Sequence, residues 1–108
     1  MSSDSTAKGF IHSVPGSPNR FAAALMVNNL HYRFFGNMGS DVPEFACHNA
    51  KLTYDDPGDL TPTRFFWGTV GTNDISITLE NGPTITGRLN MPVDPSSSLA
   101  GTGVWSAN

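Results

Sequence analysis

The residues best suited to chemistry lie between His31 and His48, where Cys47 and His48 are adjacent and Asp41 and Glu44 are close in sequence. Together they could supply a nucleophile, a base and an orienting carboxylate. Adjacent side chains on a strand point to opposite faces, so His31 rather than His48 would have to be the base for Cys47. No family motif surrounds this cysteine, and a lone cysteine reads first as a small buried hydrophobe. The stretch "EFACHN" also sets it among apolar groups and an acidic residue, which favour the thiol over the thiolate. No catalytic residue is therefore assigned. A small cavity-barrel enzyme using His31 or Cys47 stands as a rival reading.

Metal and cofactor chemistry find less support. His12, His31 and His48 match no compact ligand spacing, and one cysteine cannot build a multi-cysteine zinc site. Asp55, Asp56 and Asp59 flank Pro57-Gly58, but the alternating ligand order and terminal glutamate of a calcium loop are missing, so the segment reads as a turn. Glu80 has only Asp74 on its own strand face, three pairs away, which does not make a paired-carboxylate hydrolase. "GTVGTND" lacks the lysine of a phosphate loop and precedes a strand. No metal and no cofactor are expected.

The aromatic residues are the richest set: Tyr32, Phe34, Phe35, Tyr54, Phe65, Phe66, Trp67 and Trp105. They fall on both faces of the strands that carry them, so more than one apolar surface has to be covered, by a core, a ligand or another subunit. Trp67, Trp105 and Tyr54 are the expected ligand anchors, with Arg33, Asn37 and Asp41 as polar partners. A sugar, a small apolar molecule or a protein suits such a surface. The reading is a non-catalytic binding or interaction module, with a homo-oligomeric structural subunit as a further alternative.

Composition narrows the field. The formal charge is −3, and the six Lys and Arg residues are scattered singly, with no basic stripe for nucleic acid. The longest apolar run, "FAAALMV", is a fraction of the ~20 residues of a membrane-spanning helix. "MSSDSTAKGF" has no basic start followed by an apolar segment, so no signal peptide is expected from it. The single cysteine says nothing about compartment.

The elements that must position these residues are strands. With 108 residues, one domain with one modest core is expected, and eleven glycines and eight prolines favour short strands and turns over helices. Residues 1–20 are polar, without evident periodicity, and read as a flexible arm; residues 21–108 form one β domain. Within it, "FAAALMV", the alternating stretch from Leu30, "AKLTYDD", "TRFFWGTVG" and "LAGTGVWSA" read as strands, with a long loop from Gly36 to Asn49. Gly68 marks a bend or a bulge. The class is all-β: a small antiparallel meander barrel or compact sandwich of about six to eight strands.

"DISITLENGPTITGRL" tests that reading by parity. A two-residue loop at Asn81-Gly82 would set Leu79 against Thr84 and Ile77 against Thr86, mixing apolar and polar groups on each face. One further residue in the loop sets Leu79 against Ile85 and Ile75 against Leu89, and both faces become coherent. A three-residue connection or a bulge is expected, with Gly82 at positive φ and Pro83 where no ladder N–H is needed.

Overall fold

A computed structural model describes residues 5–107. Its strands are β1 (Ser5–Val14), β2 (Ser17–Val27), β3 (Leu30–Met38), β4 (Ala46–Tyr54), β5 (Thr63–Val70), β6 (Asp74–Leu79), β7 (Thr84–Arg88) and β8 (Ser97–Ala107). A short 3-10 turn, Pro57–Asp59, separates β4 from β5. The sheet closes into an antiparallel barrel in the order β1-β2-β3-β8-β5-β6-β7-β4. It departs from a plain meander: β1-β2-β3 and β5-β6-β7 are two three-stranded meanders, and β8 and β4 fill the two seams between them. Closure leaves no free sheet edge, which removes the usual route to edge-to-edge pairing.

The expected flexible arm is corrected. Ser5–Val14 is a full barrel strand, paired with β2 on one side and β4 on the other, and Ala7 and Ile11 are buried. Pro15-Gly16 is the turn between Val14 and Ser17; Gly16 has φ 78°, and proline supplies the restricted φ before it. The inward positions of β1 are Ala7, Gly9, Ile11 and Ser13, with one large apolar group among them, so its alternation is faint. Two backbone ladders, and the Ser13 hydroxyl bonded to both the N–H and the carbonyl of Phe45, offset the ordering entropy instead. Residues 1–4, part of the same expectation, lie outside the described residues.

The other hairpins follow local chemistry. Val27 pairs with Leu30 across Asn28-Asn29, whose φ values of 50° and 66° are those of a primed two-residue turn, which asparagine tolerates best after glycine. In the β6–β7 hairpin the parity inference holds, while the three-residue loop is centred on Asn81, one residue earlier than expected. Ile77 faces Ile85, Ile75 faces Gly87 and Asp74 faces Arg88. The loop has three residues, Glu80, Asn81 and Gly82. Leu79 N–H donates to the Pro83 carbonyl, Gly82 N–H donates to the Leu79 carbonyl, and Gly82 has φ 118°. Gly82 and Pro83 thus take the roles expected of them.

Inward side chains fill the barrel. Phe21, Phe34 and Phe66 form a mutual ring cluster with centroids 5.1–6.0 Å apart, and Trp105 packs on Phe34 at 4.9 Å. Space for these rings comes from a facing pair of glycines, Gly36 and Gly103. A Cβ on Gly36 would fall 2.3 Å from the Phe21 ring, and one on Gly103 would fall 2.2 Å from the Phe34 ring. Large rings from β2, β3 and β5 therefore interlock with gaps in β3 and β8, and each buried ring contributes roughly 1.5–3 kcal/mol.

Candidate functional site

The largest exposed aromatic surface is the outer side of β3, β8 and β5. The alternation that sends Phe34, Phe66 and Trp105 inward sends Phe35, Phe65, Trp67 and Val104 outward. Phe65 is 63% exposed, Trp67 50%, and Phe35 and Val104 47% each. The register joins them: Phe35 faces Val104, Asn37 faces Thr102, Thr102 faces Phe65, and Ala100 faces Trp67. One β8 ladder of small residues, Ala100, Thr102 and Val104, separates the aromatics of β5 from those of β3. Arg33 stands opposite Ser106 at one corner and is the only charged side chain on the outward positions of these three strands.

The β5 edge of this wall is fixed by Glu80. Its N–H donates to the Phe65 carbonyl, and its carboxylate accepts from the Phe65 N–H, so both backbone groups of Phe65 are satisfied at the end of the β5–β6 ladder. Glu80 is thus a positioning group for an aromatic residue. Gly68, expected at a bend or bulge, keeps regular pairing with β6 and β8. A Cβ there would lie 1.9 Å from the Ser76 carbonyl oxygen, so the residue marks a tight approach of two backbones next to Trp67.

Of the six sequence-proposed contact residues, Trp67, Arg33 and Asn37 lie on this wall. Trp105 and Tyr54 do not: each is 6% exposed and belongs to the core. Their strands place them on inward positions, and Trp105 is held there by the Phe34 and Tyr32 rings. Asp41 is exposed in the loop between β3 and β4, off the three strands. That loop is shorter than expected, because β3 runs to Met38 and β4 begins at Ala46. Phe35, Phe65 and Val104 share this exposed wall without having been among the six, although the shared parity of Phe65 and Trp67 was readable in the sequence.

The rival enzyme constellation is not assembled. Cys47 points inward and is buried opposite Ile11, while His31 is exposed on β3 opposite Met26, with β1 and β2 between the two strands. Burial pushes the Cys47 thiol above its ordinary range; the Asn49 backbone N–H partly opposes this and the Asp74 carboxylate adds to it. Among the described residues no cluster of three or more His, Cys, Asp or Glu side chains could hold a metal ion, and no helix is long and apolar enough to cross a membrane. The chain matches no protein family, no curated protein and no solved structure.

Proposed function

We propose that this chain is a non-catalytic interaction module that packs a protein surface against the outer wall of β3, β8 and β5. The observation that carries the reading is the continuous set of Phe35, Val104, Phe65 and Trp67, each 47–63% exposed around small β8 residues on a closed barrel. Large aromatics surrounded by uncharged neighbours are the composition of a protein contact surface. A convex wall favours a protein over a small molecule, since small-molecule sites are concave. The barrel interior offers the alternative no support, because its inward side chains pack on one another.

A second copy of the chain is the first partner to test. The wall carries one cation, so the chain's negative charge lies off the wall and an approaching wall meets no cluster of like charges there. Sedimentation of the wild-type chain from about 1 μM to about 1 mM should show reversible association over the range of weak interfaces. The double variant Phe65→Glu, Trp67→Glu should remain monomeric with an unchanged circular dichroism spectrum. A wild-type chain that associates equally well with this double substitution would remove the wall from the account. A monomeric wild-type chain whose Trp67 instead responds to an oligosaccharide panel would turn the reading toward sugars.

A further inference from the structure

On another part of the barrel surface, β1 and β4 form a second feature that the aromatic wall does not explain. Lys8 and Lys51 are directly opposed in the ladder. Like charges in that position destabilise a sheet, and among the described residues neither lysine has an ion-pair partner. Two residues further along, the register slips: Gly9 pairs with Ala50 but Ile11 pairs with Cys47, so His48 and Asn49 together face the single residue Phe10. A bulge of this kind re-aims side chains, and both His48 and Asn49 are exposed beside the lysines. Lys8, Phe10, His48, Asn49 and Lys51 line an open surface depression of about 560 Å³.

The hydrogen bonds define what His48 offers. The His48 backbone N–H donates to Asn90 Oδ1 at 3.2 Å, which fixes the orientation of that amide. Asn90 Nδ2 then donates to His48 Nδ1 at 2.8 Å, so Nδ1 is an acceptor and the neutral ring carries its proton on Nε2. His48 therefore presents an N–H donor on its free side. Phe10 adds an exposed ring, stacked on His12 at 5.4 Å with an 11° interplanar angle.

We propose that this β1–β4 depression binds a small organic anion, its phosphate or carboxylate held by Lys8, Lys51 and the His48 Nε2–H and its planar ring resting on Phe10. Two ammonium groups and an imidazole N–H supply only donors, which suits an acceptor-rich anion, and the ring supplies the apolar platform. An anion between Lys8 and Lys51 would offset the repulsion between these opposed charges. The site is independent of the β3–β8–β5 wall.

The test is a ¹⁵N–¹H NMR titration of the full chain with phenyl phosphate, inorganic phosphate and benzyl alcohol. Phenyl phosphate should give saturable shifts at the Gly9, Asn49 and Lys51 amides in the millimolar range or tighter, weakening with added salt. Inorganic phosphate should bind more weakly at the same amides, and benzyl alcohol should not saturate. Lys8→Gln and Lys51→Gln should each weaken phenyl phosphate by about tenfold, as for loss of one charge-assisted contact, and Phe10→Ala should erase its advantage over inorganic phosphate. No saturable shift below about 10 mM, equal binding of benzyl alcohol, or unchanged affinity in both lysine variants would overturn the proposal.

Discussion

Strand β5 carries three aromatic residues in a row, Phe65, Phe66 and Trp67, and its two faces treat them differently. Phe66 is buried in a ring cluster whose neighbouring strands supply glycines to make room for it, whereas Phe65 and Trp67 stand in solvent beside Ala100 and Thr102. The two tryptophans repeat the contrast: Trp105 is inside against Phe34 and Tyr32, and Trp67 is outside. Ring packing accounts for the aromatic content of the inner face. Burial does not account for the outer one, where strand preference and the Phe35–Val104 cross-strand pair explain part of the composition and the proposed partner would explain the rest.

The comparison can be broken or sharpened by substitution. The largest effect belongs to β1: a chain starting at Ser17 loses a strand paired on both sides, and its thermal melt should show no cooperative transition. Trp105→Ala should cost about 3–5 kcal/mol in urea unfolding, against less than about 1 kcal/mol for Trp67→Ala. Trp105→Phe should cost much less than Trp105→Ala, because the Trp105 indole N–H is buried without a partner among the described residues and phenylalanine removes that unpaired donor while keeping the ring contacts. Ile77→Asp should cost more than about 3 kcal/mol by placing a charge inside the barrel, while Thr78→Asp, on the outer face, should be mild.

A smaller effect is readable in pH. Burial raises the folded-state pKa of Cys47, so its neutral thiol contributes stability that is fully present below the ordinary thiol range. Above that range the unfolded chain loses its proton first, and the contribution is lost as pH rises toward the folded value. Cys47→Ala should flatten the decline of the melting temperature above about pH 9 relative to wild type. In the wild-type chain, iodoacetamide should label Cys47 slowly near neutral pH.

Parity was the most legible feature. In β6 and β7 it put Ile75, Ile77, Leu79, Ile85 and Leu89 on one buried face, as they are. It could not choose between two registers of equal parity, which differ only in where the three-residue loop sits. The hydrogen bonds of Leu79 and Gly82 decide that, and these depend on backbone angles that side-chain pattern does not report. β1 was illegible because glycine, alanine and serine occupy inward positions where neighbouring strands supply the bulk. Trp105 and Tyr54 were misjudged for a related reason: in a closed barrel the inward face takes every other residue to the strand ends, and aromatic type alone does not say which face a residue meets. The Lys8–Lys51 juxtaposition depends on a seam between β1 and β4, strands about forty residues apart in sequence.

The central claim is that the outer wall becomes covered, and Trp67 reports on it directly. In a Trp105→Phe background, Trp67 is the sole indole, and its acrylamide quenching can be followed from about 1 μM to about 1 mM chain, a range that spans weak association. Quenching that is strong at low concentration and falls reversibly at high concentration, in step with sedimentation, is the expected result. Quenching that stays constant while the chain associates would place the contact elsewhere on the barrel and contradict the account.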